Sequence, residues 1–175
     1  DSMMIQARGK AGPKPMFRVL FVCTGNICRS PTAEGVFRAM VSAAGLEADI
    51  EADSAGTIAF HIGEPPDERS QEAALERGID LSDQRARQVT KDDFDNFDML
   101  IAIDRSHHRE LTGMCPKGEE HRVRLLLDFA PQANTSDVPD PYYGELGGFG
   151  FVLDLVEAGA AGLLSEIRAN RLKGH

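Results

Sequence analysis

Short apolar runs alternate with longer amphipathic stretches along this chain. Residues 17–22 (FRVLFV) are apolar and partly β-branched, the pattern of a buried strand. Beyond the loop 23–30, Ala33, Val36, Phe37, Met40, Val41 and Ala44 recur at helical spacing. Pro31 stands where a first helical residue would, Ser30 where its cap would, and Gly45 where the helix would stop. Residues 50–54 read as a second strand, and 68–78 as a helix capped by Asp67. The charged stretch 82–89 predicts a short helix. Residues 98–103 (DMLIAI) predict a third strand, 105–112 a helix, and 123–129 a fourth strand. A turn-rich stretch, 130–150, leads to a last helix over 151–172. Phe151, Leu155, Val156, Leu163, Leu164, Ile167 and Leu172 would line its buried side.

This alternation predicts an α/β fold: a central four-stranded parallel sheet with helices on both faces and right-handed crossovers. Ligands in such folds bind outside the carboxyl ends of the strands, and the first such end is at Val22 and Cys23. The length, 175 residues, suits one compact domain. That domain is expected at 17–173, behind a flexible lead-in at 1–16 marked by Gly9, Gly12, Pro13 and Pro15. The net charge of -9 argues against nucleic acid as a partner, although one pocket can be positive on an acidic protein. Three cysteines are too few, and odd in number, for a disulfide scaffold, so free thiols and a cytoplasmic setting are expected. No stretch is expected to supply the roughly 20 apolar residues of a membrane span, nor the N-terminus the roughly 7–15 of a signal core.

The loop after the first strand carries the chemistry. In Cys23-Thr24-Gly25-Asn26-Ile27-Cys28-Arg29-Ser30, so short a link between strand and helix can turn its N–H groups inward around one tetrahedral anion. Gly25 allows an unusual dihedral and Asn26 tolerates one. Arg29 supplies a planar fork matched to two phosphate oxygens. The same positive field favours a Cys23 thiolate, since a thiol near pKa ~8.5 falls to roughly 3.5–7.5 beside a helix N-terminus or a cation. The Ser30 hydroxyl is placed to donate to that sulfur. Taken alone, Cys23 and Cys28 could be small buried hydrophobes. Gly, Asn, Arg, Ser and Pro at matching places argue for the phosphate cradle instead. GxGxxG and the nucleotide P-loop signature are both absent.

A departing alkoxide or phenolate needs a proton. Asp140, between Pro139 and Pro141, offers a preset carboxylate, with Asp137 as the alternative. Tyr142 and Tyr143 could wall a cleft. The five histidines form no ligand cluster, and Asp92, Asp93, Asp95 and Asp98 read as a solvated face, so no metal or cofactor is expected.

At VCTGNICRSPTAEG (22–35), DSAG (53–56) and VPDPYYG (138–144) the chain resembles the low-molecular-weight protein tyrosine phosphatase family, in order and spacing from about 17 to 172. The resemblance implies hydrolysis of phosphotyrosine through a cysteinyl-phosphate. It makes Cys23 the nucleophile, Arg29 the phosphate clamp and Asp140 the general acid and then base. It implies that Thr24, Gly25, Asn26, Ile27, Cys28 and Arg29 bind phosphate, and that Asn26, Ser30 and Ser54 support the loop. Phe60, Tyr142 and Tyr143 would wall the cleft, and Cys28 would take up oxidised Cys23 as a disulfide. Partners would be tyrosine-phosphorylated proteins and a cognate tyrosine kinase. Three positions depart from the family pattern: Phe60 replaces a common Trp, Gln84 a common His, and Gly150 a common acidic residue. Two alternatives share the loop. A protein-arginine phosphatase tends to carry Thr where Ile27 stands, and a thiol-dependent arsenate reductase needs a further cysteine relay that Cys115 alone does not make.

Overall fold

A computed structural model describes residues 16–141 and 148–171. Four parallel strands form its centre: β1 (Phe17–Cys23), β2 (Ile50–Gly56), β3 (Met99–Ala102) and β4 (Val123–Leu125). Their order across the sheet is β2-β1-β3-β4. The helices are α1 (Arg29–Ala43), α2 (Glu68–Leu75), α3 (Asp93–Asn96), α4 (Arg105–Met114) and α5 (Gly148–Asn170), with three 3-10 turns.

Alternation along β1 divides the core in two. Val19, Phe21 and Cys23 point into the cluster shared with α1 and α5, while Leu20 and Val22 point into the cluster that holds Phe94, Leu100 and Leu111. Phe21 meets Phe37 edge-on at 5.4 Å, a contact worth about 0.5–1.5 kcal/mol beyond its buried area. It fixes α1 against the sheet, and so fixes the loop between them. Cys23 pairs with Gly56 and Val22 with Ala102, so the carboxyl ends of three strands meet at one edge.

Several boundaries differ from the sequence expectation for physical reasons. Ser30 is not a cap. The helix begins at Arg29 after Cys28, which makes no side-chain cap bond. Residues 82–89 form no helix, because their backbone serves the end of β2: Gly56 N donates to Arg87 O and Val89 N to Gly56 O, both at 2.8 Å. Residues 123–129 break after Leu125. A strand would send Leu126 and Leu127 to opposite faces, whereas the 3-10 turn Leu126–Phe129 buries both. Asp67 caps α2 as expected, accepting from Arg69 N at 2.8 Å. In α5, Leu155, Val156, Leu163, Leu164 and Ile167 are buried, but Phe151 is exposed. Leu172, Tyr142, Tyr143 and residues 1–15 of the lead-in lie outside the described residues. By length and composition α5 is long and apolar enough to cross a membrane, contrary to expectation. Here its apolar side is core, packed on α1 and on the turn Leu126–Phe129.

Candidate active site

The end of β1 places Cys23 beneath the loop that follows it. Its sulfur lies 2.9 Å from Ser30 Oγ. Asn26 gives the loop its shape, with φ of 60°, a left-handed conformation that Asn tolerates better than most residues. Its buried amide donates to Ser30 Oγ at 2.9 Å and Ser54 Oγ at 3.0 Å, and its oxygen accepts from Arg87 N at 2.9 Å. Ser30 Oγ thus accepts a hydrogen bond from Asn26 and keeps its own proton to donate to the sulfur or to Ala55 O, which is farther, at 3.4 Å. Among the described residues, no amide N–H from Gly25 to Cys28 donates to another protein atom. These donors suit an anion.

Two glycines make room for the loop. Gly25 does not take a positive φ, and a Cβ there would lie 2.9 Å from His61 Cδ2, so the His61 ring would have to shift. A Cβ on Gly56 would lie 2.6 Å from Thr24 O, so β2 can press its backbone against the loop only as glycine.

Behind Asn26, Ser54 donates to Glu34 at 2.8 Å. Burial pushes Glu34 up to about 7, and the Ser54 hydrogen bond and the Arg38 charge offset this only in part. Arg87 ties the same region down through Asp53 and through both oxygens of Asp93. Asp93 is therefore buried and ion-paired, not part of a solvated face. Gln84 sits beside α1, where its amide donates to Pro31 O at 2.9 Å.

On the other side, Arg29 is held at three points. Its NH1 donates to Asp104 Oδ2 at 3.1 Å and to Val138 O at 3.0 Å, and its NH2 lies 3.9 Å from Asp140 Oδ2. Val138 N donates to Ile103 O at 3.1 Å, which pins the Asp140 loop to the end of β3. Asp137 is committed elsewhere, paired with Arg105 at 2.9 Å. Among the described residues of this loop, Asp140 is the carboxylate that lines one cavity with Cys23 and Arg29. Burial alone would raise Asp104, but the His107 ring 2.9 Å away and hydrogen bonds from the His107 backbone N–H and Ser106 Oγ outweigh it and hold Asp104 far below the usual range.

Cys23, Thr24, Gly25, Ile27, Cys28 and Arg29 form the floor of a cavity of about 390 Å³, and Ile58, Phe60, His61 and Asp140 its mouth. Phe60 is 80% exposed and packs edge-on against His61. Arg29 and the loop amides make part of this cavity polar and cationic, while Ile27, Ile58 and Phe60 give it apolar walls, which suits an aryl phosphate. Burial pushes the Cys28 thiol up to about 12.

The sequence reading missed Glu34, Gly56, Arg87, Asp104 and His107. Asp104 was open to the rule that located Cys23, since it follows the third strand within two residues. His107 is fully enclosed beneath Thr24.

A cysteine at the floor of an amide-lined loop, with a guanidinium and an aspartate converging on it, defines a cysteine-dependent phosphatase site. The family model for low molecular weight phosphotyrosine protein phosphatase matches residues 18–173. The low molecular weight protein-tyrosine-phosphatase of Streptomyces coelicolor is 46% identical over 87% of this chain and 94% of its own length. YfkJ of Bacillus subtilis, of the same description, is 43% identical over 89% of this chain and 99% of its own. Its crystal structure superposes with a TM-score of 0.86 over 91% of this chain and 99% of that one. The drosophila arginine phosphatase DARP, 28% identical, matches with a TM-score of 0.79 over 87% of this chain and 98% of that one. The chain belongs to the low molecular weight phosphotyrosine protein phosphatase family, whose Cys/Arg/Asp architecture removes phosphate from phosphotyrosine through a cysteinyl-phosphate.

Proposed function

We propose that residues 17–173 form one catalytic domain that hydrolyses protein phosphotyrosine, with Cys23 as nucleophile, Arg29 as clamp and Asp140 as acid and then base. The observation that carries this reading is the convergence of Cys23, Arg29 and Asp140 on one cavity, with Ser30 Oγ 2.9 Å from the sulfur. In the first step the sulfur forms its bond to phosphorus as the bond to the tyrosyl oxygen breaks, and the Asp140 proton goes to that oxygen. Arg29 and the amides of residues 24–29 hold the equatorial oxygens as charge redistributes. Water then attacks phosphorus and gives its proton to Asp140, and the S–P electron pair returns to sulfur. Ser30 steadies that thiolate.

Ile27 at the cavity floor favours an aryl ring over a guanidinium, which supports phosphotyrosine above phosphoarginine. Phe60 offers the ring an apolar wall, and Tyr142 and Tyr143 are proposed as its continuation. Cys115 packs against the other core cluster, away from the cradle, which leaves the arsenate reductase reading without a relay. Under oxidation Cys28 is the proposed partner of Cys23. Its raised pKa keeps it a thiol near neutrality, so it captures Cys23 slowly. The chain is proposed to act in a reducing, cytoplasmic setting on tyrosine-phosphorylated proteins made by a cognate kinase.

One assay series tests the reading. In chelator, wild type should hydrolyse p-nitrophenyl phosphate and phosphotyrosine peptides faster than phosphoarginine peptides. Cys23→Ser should abolish turnover, and Asp140→Ala should slow leaving-group departure while sparing phosphate binding. Activity that survives Cys23→Ser, or a preference for phosphoarginine, would overturn it.

A further inference from the structure

The proposed reaction leaves His107 without a task, yet its imidazole is buried directly under the phosphate loop. It is 1% exposed. Its Nε2 lies 2.7 Å from Thr24 Oγ1, on the loop residue next to the nucleophile. Its Nδ1 lies 2.9 Å from Asp104 Oδ1, off the line of a directed hydrogen bond. The same oxygen accepts from the His107 backbone N–H at 3.0 Å, while the other oxygen of Asp104 accepts from Arg29. Four residues therefore run in series: Thr24, His107, Asp104, Arg29. They start beside Cys23, pass through the first turn of α4 and return to the guanidinium.

A proton on Nδ1, the nitrogen beside the Asp104 carboxylate, leaves the Nε2 lone pair to accept from the Thr24 hydroxyl. An imidazole that only filled space could be Leu, as Leu111 is on the next turn of α4. Burying a polar ring costs free energy unless its nitrogens find partners, and here both face groups of the phosphate site.

We propose that His107 is a positioning residue. It braces Thr24 against Asp104, so that the loop and the Arg29 guanidinium keep the separation a bound phosphate requires. The proposal rests on the phosphatase reading above. The brace acts on anion binding, so it acts on the ground state as well as on turnover.

The test measures kcat and KM for p-nitrophenyl phosphate and the inhibition constant of inorganic phosphate, with thermal midpoints as a check on folding. The variants are Thr24→Val, His107→Leu, their double, His107→Gln and His107→Asn. The Gln amide reaches the place of Nε2 and the Asn amide that of Nδ1, so the two separate the arms of the brace. His107→Leu and Thr24→Val should each weaken phosphate roughly 5–20-fold, the scale of one hydrogen bond at a polar site, with a smaller fall in kcat. The double should be no worse than either single. His107→Gln should recover phosphate binding and His107→Asn should not. Unchanged inhibition in His107→Leu, multiplying losses in the double, or equal rescue by Asn would overturn the proposal. Should His107→Leu not fold, Thr24→Val and His107→Gln decide: weakened binding in the first and retained binding in the second support the brace, and any other pair of results overturns it. A wild type that shows no Cys23-dependent hydrolysis sinks the phosphatase reading instead, so the two failures are distinct.

Discussion

Two carboxylates brace the phosphate loop from opposite sides, and their surroundings drive them apart. Asp104, beneath Arg29, is held far below the usual range because hydrogen bonds from His107 and Ser106 outweigh its burial. Glu34, behind Asn26, is pushed up to about 7 because burial outweighs the Ser54 bond and the Arg38 charge. On the Asp104 side, charge answers charge: a carboxylate orients the guanidinium that would meet the phosphate. On the Glu34 side, amide and hydroxyl groups (Asn26, Ser30, Ser54) hold backbone shape, and no full charge touches the loop. Burial acts on both, so the number and kind of donors decides which carboxylate stays ionised. The electrostatic side should therefore be indifferent to pH near neutrality, while the shape-holding side should not.

The largest effect should come from Asp104→Asn. It removes the charge that faces Arg29, whose side chain is only 7% exposed, and leaves a nearly buried guanidinium with one ionic partner fewer. We expect kcat/KM to fall about 100-fold, the scale of ~3 kcal/mol for breaking an enclosed pair. Steady-state kinetics on an aryl phosphate checks this. A fall under threefold would mean that Val138 O and Asp140 orient Arg29 without help. Since Asp104 has a depressed pKa, its contribution to stability is complete above the unfolded value of 3.8 and declines only as pH falls below it.

Next comes Asn26→Ala on the other side. Alanine adopts the left-handed conformation poorly and loses the bonds to Ser30, Ser54 and Arg87 N. Unfolding in urea should show a loss of about 2–4 kcal/mol, with kcat down roughly tenfold as Ser30 loses its orientation. Unchanged unfolding would show that Gly56 and Arg87 alone hold the loop.

The two sides also differ in how far the sequence disclosed them. Cys23, Asn26, Arg29, Ser30 and Ile27 are contiguous, and a short loop between a strand and a helix limits what they can do, so this part was legible. Asp140 could be placed by its two prolines. The supports were hidden because they come from distant segments whose meeting is decided by strand register: Cys23 opposite Gly56, and Val22 opposite Ala102. Nothing in the local pattern of residues 82–89 says that their backbone will pair with Gly56 and Asn26 rather than with itself. Likewise His107 lies on a polar helix, where its burial depends on the loop that covers it. Gly25 was legible as a glycine but for the wrong reason, because the ring that crowds it, His61, is 36 residues away in the chain.

The smallest effect sharpens the comparison most. Glu34→Gln keeps the shape of the side chain and removes its titration. In the unfolded chain the carboxyl releases its proton near 4.5, and in the folded protein it does so only near 7. Between those values the folded state binds the extra proton, so stability falls as pH rises through the window and levels off above it. The span is on the order of 3 kcal/mol at most, from ~1.4 kcal/mol per pKa unit. Thermal midpoints of wild type and Glu34→Gln should therefore diverge between pH 5 and 7, with the wild type losing ground toward pH 8. Asp104→Asn should lower the midpoint by the same amount at both ends of that range. Parallel profiles for wild type and Glu34→Gln would mean that Arg38, 3.5 Å from the Glu34 carboxylate, already keeps it ionised in the folded protein. In that case the two sides of the loop are both charge-paired, and the division between an electrostatic side and a shape-holding side fails.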